Sequence, residues 1–180
     1  MEKFVTTKVY KRIFGVDPRD ADRDEILERK SAEFDGTPQD LHIESKDIEK
    51  WNRAAELLRR VDSYRAPRDK LIVIVNCVRM MNEILAGTCR SHHSQTFIST
   101  LITTIYTGTS GADRLVPAMI YVTIKANPTR FASNLKYVRQ YRDEKMMRGE
   151  EKYALVVAES AVRFLLEETE EEEEEEEEEE

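Results

Sequence analysis

The stretch from Pro67 to Leu85 constrains this chain most. It opens on a proline, runs through Leu71-Ile72-Val73-Ile74-Val75, and continues by Val78, Met80, Met81 and Ile84 without a breaker until Gly87. Proline suits the first turn of a helix, where its missing N–H costs nothing. The five-residue apolar run has the composition of a strand, but a strand would be closed by turn residues soon after it, and none come. The segment is therefore predicted to be one long helix. Being apolar around most of its circumference, it must be buried by other elements.

The rest of the chain supplies them at the same period. From Lys3 to Phe14, apolar residues recur as Phe4, Val5, Val9, Tyr10, Ile13 and Phe14, with Gly15 as a stop. Asp17-Pro18 opens a charge-rich stretch through Phe34, read as a partly exposed helix, and Asp35-Gly36-Thr37-Pro38 is a turn cluster. Ser45 is placed to cap a helix to about Val61, with Trp51, Ala54, Ala55, Leu58 and Val61 as its buried stripe. An apolar run from Leu115 to Ile124 ends at the turn Asn127-Pro128. A helix over Thr129–Tyr141 follows, with Phe131, Leu135, Val138 and Tyr141 on one side. Beyond a loop at Arg148-Gly149-Glu150, Tyr153 to Leu166 closes the ordered part, with Val157, Ala161, Phe164 and Leu165 inward. The fold class is all-α. Residues 86–110 interrupt the pattern; their track Phe97, Ile98, Leu101, Ile102, Ile105 and Tyr106 fits a short amphipathic helix in a variable loop.

Charge divides the chain unevenly. Glu167, Glu168 and the run 170–180 supply thirteen negative charges, and without them the balance turns from −8 to +5. An unbroken glutamate run repels itself and buries nothing, so 167–180 is expected to be a disordered tail. The remaining arginines and lysines are dispersed without stacking aromatics, which argues against a nucleic-acid partner. There is no apolar span of membrane length and no leader before the periodic sequence at Met1-Glu2-Lys3-Phe4, so a cytoplasmic location is expected. Cys77 and Cys89 make no disulfide framework, and Cys77 reads as a small buried hydrophobe.

No metal signature, phosphate-binding glycine loop or nucleophile elbow is present, so no cofactor is implied and function shifts toward contact with another protein. Adjacent His92-His93, with no Cys or acid nearby, reads as a solvated loop. Asp113, after Gly111-Ala112 and before the apolar run, has two readings. It is an N-cap for orphan helix N–H groups, or an acid aimed at a partner's cation. Leu115, Val116 and Ile120 are equally divisible between core and groove.

Taken in order, Ala66-Pro67-Arg68-Asp69-Lys70-Leu71, Gly111-Ala112-Asp113, Pro117, Ile120-Tyr121-Val122-Thr123-Ile124-Lys125-Ala126-Asn127-Pro128, Ser133-Asn134-Leu135 with Tyr137, and Gly149-Glu150 with Tyr153 resemble the vacuolar protein sorting 9 domain. The dense match covers about 61–166, the family-type core with its variable loop 86–110, and a looser one takes in the N-terminal helices of 1–60.

The resemblance implies a layered helical domain acting as a guanine-nucleotide exchange factor. Its partner would be a Rab5-class endosomal GTPase, in GDP-bound and nucleotide-free states, and it would be recruited to endosomes through that GTPase without inserting in the membrane. It implies that Asp113 is an acidic finger competing for the P-loop lysine and Mg²⁺ that hold the phosphates. Tyr153 would support the finger, Pro117 would shape its helix, and Leu115, Val116, Ile120 and Val156 would line the contact. Such a protein carries out no covalent chemistry. Two positions depart from the pattern: relatives usually carry a second acid where Arg114 stands, and a threonine where Val156 stands. They keep open a Rab-binding module with impaired turnover, alongside a helical scaffold recruiting basic partners through its tail.

Overall fold

In the computed structural model of the chain, residues 2–34, 36, 37, 41, 43, 48–86 and 111–179 are described, with the backbone alone for 111–113 and 168–179. Among the described residues there are seven α-helices and no strand: α1 Glu2–Ile13, α2 Pro18–Glu33, α3 Ile48–Arg59, α4 Pro67–Leu85, α5 Gly111–Ala126, α6 Phe131–Tyr141 and α7 Gly149–Glu179. The all-α class is as expected. Ser45, His92-His93, Cys89 and the apolar track of 97–106 lie outside the described residues.

The long segment is helix α4, with Pro67 at its first turn and Ala66 as cap. It is buried on most sides because α3, α5, α6 and α7 all pack against it, joined by α1 and the 3₁₀ turn Arg60–Ser63. The second axis of the core is α5, seated between α3 and α7. Trp51 of α3, fully buried, meets Tyr121 of α5 edge-on at 6.0 Å between ring centroids. The predicted α3 stripe, Trp51, Ala54, Ala55, Leu58 and Val61, is buried throughout. So is Cys77, whose thiol burial pushes up to about 12. Leu27 and Ile43 belong to this same core, so the stretch 1–60 is not a separate layer.

Two expectations about faces change. In α1, Phe4 and Val5 are 65% and 50% exposed. The helix docks instead through Tyr10 and Phe14, stacked at 4.7 Å and both edge-on to Tyr137 at 5.5 Å. Ion pairs Lys3–Asp69 and Arg142–Glu2, at 2.8 and 2.9 Å, fix its other end. In α7, Phe164 is 43% exposed while Ala158 and Val162 take the inner positions. The stripe of an amphipathic helix that faces the core is limited in width, and apolar residues outside it stay exposed.

The backbone of α7 also continues through the glutamate run to Glu179, where the sequence predicts no structure. Nucleation is the costly step of helix formation, and here the packed turns upstream have already taken it. Glutamate itself is a good helix former, so propagation can outweigh its repulsion.

Lys70 joins four elements, and it explains why the segments around Lys70 and Asn134 accompany each other. Its ammonium is fully buried and donates to Val61 O at 3.0 Å and to Asn134 Oδ1 at 2.6 Å. The rings of Phe14 and Tyr10 cover it, with centroids at 5.0 and 5.5 Å. Asn134 passes the bond on, donating to Asp62 Oδ1 at 2.7 Å.

The start of α6 has no capping side chain of its own, since Arg130 holds that place. Asp24, reaching across from α2, accepts from Ser133 N at 3.1 Å and Ser133 Oγ at 2.5 Å, while Asp62 accepts from Thr129 N at 3.0 Å. Orphan helix N–H groups must find acceptors, and here the acceptors come from distant sequence.

Candidate functional site

The first turns of α5 and α7 converge on the last two turns of α4. Arg114 of α5 donates through Nη2 to the carbonyl of Leu85, the last residue of α4, at 3.0 Å. Arg79 of α4 grips Glu150 of α7 with two parallel bonds, Nε to Oε1 and Nη2 to Oε2, the latter 2.6 Å. Arg79 and Leu85 are six residues apart on one helix, about 9 Å along its axis. The beginnings of the two helices that carry Asp113 and Tyr153 therefore lie at one end of the molecule, separated in sequence but referenced to a common rail.

Asp113 is the third residue of α5, inside the first turn and not at the cap. Pro117 stands four residues later, inside the helix. A proline there has no N–H to give to the carbonyl of Asp113, and its ring crowds that carbonyl. The turn carrying Asp113 is thus held to the rest of α5 less tightly than an ordinary helical turn, by a residue spaced to act on it.

At the other helix, α7 begins at Gly149, earlier than the sequence predicts, so Tyr153 sits one turn inside it. Arg148 N donates to Glu151 Oε2 at 2.8 Å, half of a capping box, which explains why the Arg148-Gly149-Glu150 segment is helix start and not loop.

The apolar candidates separate by burial. Leu115 and Ile120 are 2% and 4% exposed and belong to the core, so they seat α5 and offer a partner nothing. This burial speaks against their place in the contact: Leu115, next to Val116, turns inward, and Ile120, one turn beyond Val116, is covered by packing. Val116 and Pro117 are half-buried, Tyr153 is half-buried with its phenol pKa raised by burial, and Val156 is 50% exposed. Arg114 is exposed. Val156 is thus the exposed apolar candidate, and Val116, Pro117 and Tyr153 are each only partly accessible. Among the described residues, no three His, Cys, Asp or Glu side chains converge to hold a metal ion, and no helix is long and apolar enough to cross a membrane.

Sequence reasoning missed Arg79 entirely. Nothing in its neighbourhood distinguishes it from any other exposed arginine on an amphipathic helix, since its partner lies 71 residues away. The adjacency of Glu150 to Gly149 and Tyr153 was the available hint.

The family model for the vacuolar sorting protein 9 (VPS9) domain matches residues 51–170, which takes in α3 to α7. Vacuolar protein sorting-associated protein 9A of Arabidopsis thaliana is 32% identical over 169 residues, covering 92% of this chain and 30% of the relative. The human Rab5 GDP/GTP exchange factor is 29% identical over 173 residues, covering 92% and 32%, and vps901 of Schizosaccharomyces pombe is 27% identical over 180 residues, covering 92% and 28%. The chain spans about a third of the length of these relatives.

Proposed function

The chain belongs to the VPS9 domain family, and from that premise we propose that it is a guanine-nucleotide exchange factor for Rab5-class GTPases. The observation that carries the reading is that the family match falls on the helices whose starts meet at the end of α4. The name of the human relative, an exchange factor for Rab5, supplies the partner class.

In this reading Val116, Pro117, Tyr153 and Val156 together form a strip that docks on the GTPase, and Asp113 is carried into the nucleotide site. Affinity for GDP in such GTPases rests on the P-loop lysine and Mg²⁺ around the phosphates. A carboxylate brought there draws off the lysine and repels the phosphate anion, and the same charge weakens the hold on the metal. Exchange requires only that the factor bind the nucleotide-free GTPase more tightly than the GDP form; by reciprocity, it then lowers GDP affinity by the same factor. Tyr153, held by its packing one turn into α7, gives the contact a rigid edge. The protein reaches the endosomal membrane through the GTPase and needs no membrane segment of its own.

One observation favours a second reading. Val156 presents methyl groups, with no hydroxyl, at the most exposed point of the strip. A module that binds the GTPase without turning it over accommodates that as well.

The test is release of a fluorescent GDP analogue from a panel of Rab GTPases, with the wild type and Asp113→Ala. The reading expects acceleration confined to Rab5-class members and lost by 100-fold or so in the variant, on the order of removing one well-placed charged group from a reacting site. Binding without acceleration would establish the second reading, and neither would defeat both.

A further inference from the structure

Residues 87–110 separate the end of α4 from the start of α5 in sequence. Leu85 is the last residue of α4, and its carbonyl is one of the orphan acceptors at a helix C-terminus, where the helix dipole favours a cation. Arg114 supplies both the donor and the cation, at 3.0 Å. Among the described residues, this is the hydrogen bond that a side chain in the first turn of α5 makes to another element. The next anchor along the helix is Leu115, buried in the core, and one turn later Pro117 cannot donate to the carbonyl of Asp113. The backbone of Asp113 is thus loosened on its C-terminal side and pinned by its immediate neighbour.

From this we infer that Arg114 is a positioning residue: by clamping the first turn of α5 to the end of α4, it fixes where Asp113 is presented. The inference rests on the exchange reading for its consequence but not for its geometry. Positioning and direct contact with a GTPase have different signatures. A contact made equally before and during GDP release governs how much factor half-saturates the reaction, whereas a residue that acts by placing Asp113 governs the rate at saturation.

GDP release would be followed at rising concentrations of wild type, Arg114→Ala and Arg114→Lys on a Rab5-class GTPase. In parallel, amide hydrogen exchange over residues 112–118 would be recorded for the free proteins. The saturating rate is expected to fall about tenfold in Arg114→Ala, the rate equivalent of one charge-assisted hydrogen bond. Half-saturation should stay within about twofold. Lysine, long enough to reach one carbonyl and still cationic, should recover most of the rate. Amides 112–118 should exchange faster in the alanine variant and return toward wild type with lysine. A loss confined to half-saturation, or an alanine variant with the wild-type rate, would overturn the inference. Were the wild type itself to release no GDP, the exchange reading would fall, and unchanged hydrogen exchange in Arg114→Ala would overturn the clamp independently.

Discussion

At the scale of single residues, the proposed exchange role and the fold make different demands on side chains. Asp113 lies in the first turn of α5, where an acid interacts favourably with the helix dipole but is not the cap. Its replacement by alanine is therefore expected to cost well under ~1 kcal/mol of stability while abolishing exchange; equilibrium denaturation beside the GDP-release assay distinguishes the two effects. Gly15 is the converse case. It ends α1 with φ of +61°, and a Cβ there would fall 1.9 Å from Arg130 Nη2, the group that donates to Gly15 O. Gly15→Ala is expected to destabilise by about 1–3 kcal/mol, from the left-handed backbone and the displaced guanidinium together. Thermal unfolding should show it as a drop of roughly 2–4 °C per kcal/mol for a chain of this size, with GDP release at low temperature intact.

Elements carry a different kind of information, because here a helix is used as a device. Pro117 removes one hydrogen bond from α5 at the turn that bears Asp113. Pro117→Ala should let that bond form and stabilise the helix, by up to ~3 kcal/mol on intrinsic propensity, less whatever packing the half-buried ring contributes. The same change should slow GDP release, since the turn would then follow the ordinary helical path. A variant both more stable and less active would be the signature; one more stable and equally active would show the proline to be structural alone. The Arg79–Glu150 pair plays the matching part for α7. It is bidentate and its carboxylate is only 17% exposed, so it fixes direction better than a single surface ion pair would.

At the scale of the whole molecule, Lys70 is a buried charge that joins α1, α4, α6 and the 3₁₀ turn Arg60–Ser63. Burial lowers its pKa from the ordinary 10.5 to about 8, against the opposing pull of Asp62. Between these values the unfolded chain holds a proton that the folded chain has lost, so the Lys70 contribution to stability rises with pH across that window and is flat below about 8. From pH 8 to 9 it adds about 1 kcal/mol, at roughly 1.4 kcal/mol per unit. Above 9 the buried Cys77 thiol, pushed from 9.0 to about 12, ionises only in the unfolded chain and offsets the gain, and above 10 the Tyr10 phenol, raised to about 12, turns the trend downward. Denaturant midpoints measured from pH 7 to 9 should climb in the wild type and level off beyond. In Lys70→Met they should start lower, because Val61 O and Asn134 Oδ1 lose their donor, and lack the climb.

Sequence by itself determined the helices and their family. Periodicity is local, so α3, α4 and α6 could be read with their buried stripes; the ordered motifs from Pro67 to Tyr153 carried the resemblance because each keeps its place in the chain. It could not assign Leu115 and Ile120 to the core, or Phe4, Val5 and Phe164 to the surface, because a helix with apolar residues on two faces does not reveal which one is covered. Nor could it place Asp24 at the head of α6 or pair Arg79 with Glu150, since side chains that meet across long sequence separations leave no period to detect. The tertiary structure decided those matters. It brought the starts of α5 and α7 to one end of α4, because only packing around that buried helix fixes where each surrounding helix begins.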